Sequence, residues 1–525
     1  MALQRRIGVL GLTMIGVGGV IGSGWLFAPM HAANLAGPAA SISWMICGVA
    51  VLMIALTYAE VCGRLPVAGG IGRLPYFTHG RLVAAAMGWT AWVGYLTTAP
   101  IETAVMLQYL AQPLPWLTDG SKAHGLSPVG MIFAVVLLGS MTLINALGVA
   151  FFARLNSGLT IFKVIIPILV GVLIIADRFS GANFSSEPEF MPYGWKGVLS
   201  AIATGGVLFA FLGFRHVIDM AGEVHNPKVT IPLGLVFSVL VCLGIYLFLQ
   251  IVFIGALTGE NLQHGWAAFT SDHELGPLSA LAIALGMVWL SGVVLAGAVV
   301  APFGGALIST GSNARLTLAL AHNGFFPSLM AKLSSRQIPL NALLLNFVIG
   351  SVMFLVLPFG EIVALNGAAL VFSLTVGPVT LLALRRQSSE AFDSFRLPAA
   401  VPLCVLAFAV STLIVYWSGW DTVWRLGVAI AVGAVLLFAR QFRSDSVPLH
   451  IRPSLWLVPY IAGLLLLSAF GSFGGTGLIP FGLDMVLGTA LSVFCLYLAI
   501  VLRLPDESAA AHRADIDGSD LGVKA

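Results

Sequence analysis

The sequence predicts an all-α polytopic membrane protein with about fourteen spans. Of its 525 residues, 58% are hydrophobic and 9% charged, whereas soluble proteins carry roughly 25% charged residues. So few charges cannot cover a water-facing surface. The apolar residues also gather in stretches of about 20, the length that crosses a bilayer as a helix. Finally, Lys and Arg are unevenly shared between alternate connecting segments, as the positive-inside rule requires.

The expected spans lie near 8–32, 38–62, 83–112, 128–149, 154–176, 197–221, 232–256, 278–310, 338–357, 361–384, 400–418, 422–439, 455–471 and 478–502. The first follows Arg5 and Arg6 and so resembles a secretory signal, but its length, the lack of a cleavage region and the spans behind it mark it as a retained helix. The segment 278–310 is long enough to tilt strongly or to break. With both termini on the cytoplasmic side, the inner segments hold nineteen of the 25 Lys and Arg residues. The outer segments hold Lys122, Arg178, Lys196 and Arg425, leaving Lys163 and Arg215 within spans. A missed or invented helix would scramble that alternation. Residues 440–453 read as a linker, and 441–504 as two additional C-terminal helices beyond a core of twelve in 1–440. The polar, Ala-rich stretch 505–525 reads as a disordered cytoplasmic tail.

Several function classes are excluded. The net charge of +3 comes without clustered basic residues, so no nucleic-acid footprint is present. Cys47, Cys62, Cys242, Cys404 and Cys495 are odd in number and scattered, which argues against a disulfide framework or a cysteine metal site. No phosphate loop, H-E-x-x-H or G-x-S-x-G motif occurs, so no catalytic residue, metal or cofactor is expected. A channel would be expected to repeat a pore-lining motif, and none is found.

Two spans look unable to stay whole. The first carries Gly16, Gly18, Gly19, Gly22 and Gly24 within nine residues, and each glycine costs about 1 kcal/mol relative to Ala inside a helix. Freed backbone groups are tolerated in hydrocarbon only where protein or a water-filled cavity satisfies them. Unwinding at Gly22-Ser23-Gly24 would aim the N–H groups of Ser23 and Gly24 at a carboxylate, while carbonyls near Gly19 and Val20 would suit an ammonium. A zwitterion satisfies both ends. Close helix packing through small residues is the competing explanation. The sixth span repeats the pattern with Gly205-Gly206 and Gly213, followed by Arg215 and His216 in mid-span. A separation of five helices, an odd number, implies two halves of inverted topology, about 8–176 and 197–384.

The sixth-span stretch Phe209-Ala210-Phe211-Leu212-Gly213-Phe214 and the following Glu223-Val224-His225-Asn226-Pro227 through Pro232 resemble the amino acid–polyamine–organocation transporter superfamily. Gly22-Ser23-Gly24 matches its first-helix signature, and Ala314-Arg315 with Asn323-Gly324-Phe325-Phe326-Pro327 is similar to its loop after the eighth helix. The resemblance covers roughly residues 5–440. It implies a leucine-transporter-type five-plus-five inverted repeat with broken helices 1 and 6. It also implies that a substrate carboxylate rests on Ser23 and Gly24 beside Gly22, and an ammonium on carbonyls near Val20, Phe209 and Leu212. The substrate side chain would lie along 212–215, including Gly213, with Phe209 as a lid. Asn226, Pro227 and Pro232 would shape the cytoplasmic gate.

Four ionisable groups within spans remain. Lys163 lies in an apolar stretch of the fifth span; either it snorkels to the cytoplasm, or burial makes it able to exchange a proton. Proton-coupled members of the superfamily carry a lysine there where sodium-coupled relatives keep a cation site, so Lys163 is the expected coupling residue. Glu102, deep in the third span, is the second coupling candidate, or else it neutralises Arg215. Arg215 departs from the commoner pattern, in which an acidic residue follows Gly-Phe, and resembles the branch that includes aspartate–proton symporters. It either meets a second substrate carboxylate or pairs internally with Asp219, Glu102 or Glu60. His216 is more simply a hydrogen-bonded structural residue than a proton carrier. The expectation is a proton-coupled amino acid symporter of the cell membrane that works by alternating access, possible for acidic substrates. Its partners would be an amino acid, protons and lipid. An amino acid or polyamine exchanger is the alternative, and the sequence is silent on oligomeric state.

Overall fold

The computed structural model describes residues 5–118, 126–185, 190–258, 262, 265–268, 276–356, 359–387, 395–441 and 449–519. Among these the chain is helical with no strand; Ile7 and Val224 form one isolated parallel bridge. Among the described residues, ten helices are long and apolar enough to cross a membrane, or eleven if the bent pair Gly194–Ala203 and Val207–Asp219 counts as one span. Burial is inverted relative to a water-soluble protein. Leu10 and Ile132 are 71% and 66% exposed, whereas Glu60, Asp219 and Glu223 are fully buried. Such an apolar exterior suits lipid, and the charges inside need partners.

The glycine-rich first span is broken. Val9–Val20 and Gly24–Ala36 are separate helices, and Ile21 leaves helical geometry at φ −81°, ψ 85°. The sixth span breaks where Gly206 takes a left-handed φ of 83°, a conformation that costs glycine little. The bend between its halves is 42°. The two breaks touch backbone to backbone, because a Cβ on Gly213 would collide with the carbonyl of Gly19 and the nitrogen of Val20. Unwinding and close packing, the competing explanations for these glycines, therefore coexist.

Around the breaks, Val9–Val20 lies against Val149–Asp177, Pro227–Ala256 and Val288–His322, and Arg81–Leu110 runs between Val288–His322 and Phe359–Leu374. The segment expected at 278–310 divides at Gly286, φ 75°, into Gly276–Ala284 and Val288–His322. The second helix runs twelve residues past the expected end because its small residues at 311–314 pack inward against neighbouring helices.

One end of the bundle is sealed near residue 7. The N–H groups of Arg6 and Ile7 donate to the Glu223 carbonyl at 3.0 and 3.1 Å, and His225 N–H returns a bond to Ile7 at 2.9 Å. The Glu223 carboxylate is paired with the Arg315 guanidinium, whose Nη2 lies 3.1 Å from Oε2. Two motif blocks nearly a hundred residues apart thus meet in one closure.

The stretch expected as a disordered tail is helical over Asp506–Ser519. The alanines that suggested low complexity are the strongest helix formers, and Asp506 and Glu507 occupy the first turn, where acidic groups complement the helix dipole. Its His512 ring stacks on Tyr76, 4.4 Å between centroids. Residues 520–525 lie outside the described residues, as do 442–448 of the expected linker. All five cysteines are free and buried.

Candidate functional site

Helix ends buried in a bilayer-spanning bundle require partners for their backbone groups. At the first break the partners are side chains of the protein itself. Ser23 N–H donates to Glu102 Oε2 at 2.9 Å, and a Cβ on Gly22 would strike the same carboxylate. Lys163 is buried and donates from Nζ to the Gly18 carbonyl at 2.5 Å. Its stem passes over Gly304, where a Cβ would come 2.6 Å from Cε. The snorkelling alternative is therefore not realised. The Tyr246 hydroxyl donates to the Val20 carbonyl at 2.8 Å. A carboxylate thus sits at the positive end of the second half-helix and an ammonium at the negative end of the first, as the helix dipoles favour.

The second break is held differently. Arg215 donates from Nη1 to the Leu212 carbonyl at 2.9 Å and from Nη2 to Thr98 Oγ1 at 3.1 Å. Its guanidinium lies over the Tyr95 ring, 4.3 Å from the centroid, and the Tyr95 hydroxyl donates to the Asp219 carboxylate. The internal ion pairs considered for Arg215 do not form. Glu60 is taken by Arg64 and Arg385, Glu102 faces Ser23, and Asp219 is reached only through Tyr95. Asp219 stands four positions along on the same short helix, Arg215–Asp219, but the guanidinium turns back to the Leu212 carbonyl and the Tyr95 ring, while the Tyr95 hydroxyl takes Asp219. His216 Nδ1 is 2.8 Å from Ser312 Oγ, in keeping with the structural reading.

Seven of the ten candidates, Val20, Gly24, Glu102, Phe209, Leu212, Gly213 and Arg215, line one inner cavity of ≈ 20 Å³. Ser23 lines a neighbouring cavity of ≈ 600 Å³, bordered also by Phe27, His31 and Gln108. Gly24 and Phe209 border both. Gly22 packs on Glu102, and Lys163 stands behind the first break rather than on the cavity. An inner space of this size holds about one water and is far too small for an amino acid, which enters only when side chains move. Phe209, between the two spaces, is placed to move.

Residues that sequence reasoning missed complete the inner site. Thr98 bridges Arg215 and Asn366, whose Nδ2 is 2.9 Å from Thr98 Oγ1. Tyr95 and Tyr246 hold the Arg215 and Val20 groups. A mid-span Asn366 and the Thr97-Thr98 pair were available as signals, since polar side chains in apolar spans need partners; nothing local marks Tyr246.

The amino acid permease family matches residues 7–436. The glutamate/serine transporter AimA of Bacillus subtilis (strain 168) is 36% identical over 502 residues, covering 94% of this chain and 92% of that protein. The aspartate-proton symporter of the same organism is 35% identical over 512 residues, 96% and 97% of the two chains. Its branched-chain amino acid permease BcaP is 27% identical over 453 residues, 83% and 93%. The chain belongs to the amino acid permease family: it is a multi-pass membrane transporter and not an enzyme.

Proposed function

We propose that this permease is a proton-coupled amino acid symporter of the cell membrane, working by alternating access and accepting substrates with a carboxylate or other polar side chain. One observation carries the reading: at the first break, two groups that can gain or lose a proton, Glu102 and Lys163, hold the backbone groups of Ser23 and Gly18. A substrate α-carboxylate would compete with Glu102 for the N–H groups of Ser23 and Gly24. A proton on Glu102 removes the charge that strengthens its bond and yields the place. Lys163 supplies the positive charge beside the break that a cation supplies in sodium-coupled relatives. The substrate ammonium would turn to carbonyls near Val20, Phe209 and Leu212, and its side chain to Arg215. The names of the two relatives above 30% identity, a glutamate/serine transporter and an aspartate-proton symporter, fit this assignment.

The accompanying architecture is fourteen crossings with both termini cytoplasmic, a twelve-helix core over 1–440 arranged as a five-plus-five inverted repeat, and two appended helices over 441–504. The charge asymmetry of the connecting segments supports it. On that orientation the seal at Glu223 closes the cytoplasmic side, and the ≈ 600 Å³ cavity belongs to the outer half. Because side chains of the protein can satisfy the break ends, the carrier can reorient without cargo, which favours symport over obligate exchange. The test is uptake of labelled aspartate, glutamate and serine into proteoliposomes with an inward proton gradient. Accumulation abolished by a protonophore is expected. Counterflow of equal size without any gradient, and no net accumulation with one, would establish exchange instead.

A further inference from the structure

Two residues that line the inner cavity each carry a buried polar atom that has no hydrogen-bond partner among the described residues, and the two atoms are complementary. One is Arg215 Nε, a donor; the other is Asn366 Oδ1, an acceptor. Both residues line the cavity, both are buried, and both touch the Thr98 hydroxyl, Arg215 Nη2 at 3.1 Å and Asn366 Nδ2 at 2.9 Å. The orientation of the Asn366 amide follows from its surroundings. Its nitrogen lies 2.7 Å from the Gly94 carbonyl, which can only accept, and 3.1 Å from Thr97 Oγ1, so the oxygen is the atom left over. A buried polar atom without a partner costs free energy that a ligand can recover.

We infer that Asn366 and Arg215 together read the end of the substrate side chain, and that they select a group that both accepts and donates a hydrogen bond. This rests on the transport reading above and narrows its substrate class. A bare carboxylate answers Arg215 but presents only acceptors to Asn366 Oδ1, setting two partial negative charges against each other. A hydroxyl, a carboxamide or a carboxylic acid that keeps its proton answers both: its oxygen accepts from the guanidinium, and its O–H or N–H donates to Asn366. The class is therefore small polar amino acids, with serine and asparagine inside it alongside the acidic ones. Alanine and valine, which leave both atoms unanswered, lie outside. A site built around hydrogen bonds discriminates in this way because its own groups stay unpaired when the wrong side chain enters.

The test uses the full chain in proteoliposomes, with labelled aspartate displaced by unlabelled serine, asparagine, O-methylserine or alanine. One recovered buried hydrogen bond corresponds to about tenfold in affinity, and serine answers both atoms, so serine is expected to outcompete alanine by more than about tenfold. O-methylserine, which keeps the acceptor and lacks the donor, should lose the part of the advantage that Asn366 supplies, about tenfold. In Asn366→Ala the serine-to-alanine preference is expected to fall about tenfold, the worth of the one lost hydrogen bond, while the preference for aspartate over alanine persists through Arg215. Serine behaving like alanine in the wild type overturns the inference while leaving amino acid transport intact. So does an Asn366→Ala protein that loses the serine and aspartate preferences equally, because that marks a packing role for the Nδ2 contacts. If Asn366→Ala does not fold, the comparison of serine with O-methylserine in the wild type decides. A wild type that takes up none of these amino acids overturns the transport reading and this inference with it.

Discussion

The two broken helices solve the same problem with different chemistry. Both interrupt a span at glycine and both expose backbone groups in the middle of the bundle. At the first break the exposed groups are held by Glu102 and Lys163, whose charges change with a single proton. At the second they are held by Arg215, whose guanidinium stays charged at any accessible pH and stacks on Tyr95. A contact that a proton can release suits coupling, while one that no proton can release suits a fixed recognition element. The contrast places energy transduction at the first break and side-chain selection at the second.

That division can be broken by experiment. The largest effect is expected from Lys163→Met, which leaves the Gly18 carbonyl without its ammonium: gradient-driven uptake should fall to background while a substrate still raises the melting temperature. Full pH-driven accumulation in this variant would remove Lys163 from the coupling machinery. Next, Glu102→Gln keeps the shape but fixes a neutral group on Ser23 N–H. Uptake should lose its dependence on external pH, and counterflow should continue. A variant that retains the wild-type pH profile would move coupling elsewhere. Arg215→Leu should spare the pH profile and raise KM for acidic substrates at least about tenfold, equivalent to about 1.4 kcal/mol; a flattened pH profile here would erase the contrast between the breaks. The smallest effect belongs to Tyr246→Phe, which removes one neutral hydrogen bond to Val20 and should lower stability by about 1 kcal/mol. Thermal unfolding in detergent measures it, and an unchanged Tm would mean that another group replaces the hydroxyl.

The two regions also differ in how far they could be read before folding. Glu102, Lys163 and Arg215 announce themselves because a charge within an apolar span is costly and needs a reason. Their partners do not. Arg215 had three carboxylates to choose from, including Asp219 four residues along, and took a carbonyl, a hydroxyl and an aromatic face instead. Arg215 and Asp219 share the face of one short helix, but Tyr95, from a distant helix, stands between them, its ring under the guanidinium and its hydroxyl on Asp219. Glu102 was weighed as a counter-ion to Arg215, yet its carboxylate faces Ser23, on the other break. Asn366 and Tyr246 enter from helices more than a hundred residues from the groups they complete. The tail shows the opposite error: a composition read as disorder forms a helix once it has a surface to rest on.

What the chain alone determined follows from one-dimensional physics. Apolar length specifies membrane helices, glycine weakens two of them, and ionisable residues within spans mark where solvation must be supplied by the protein. Those features identified the two breaks, five of the residues that line the inner cavity and the residues able to carry a proton; Phe209 and Leu212 were expected from the family resemblance. Only the tertiary structure decided which charge meets which backbone group, because a pairing depends on how helices distant in sequence cross and on which rotamer fits between them. It brought Glu102 to Ser23, Lys163 to Gly18 and Arg215 to Leu212. It also left Arg215 Nε and Asn366 Oδ1, on two residues that line one small cavity, with nothing of the described protein to answer them.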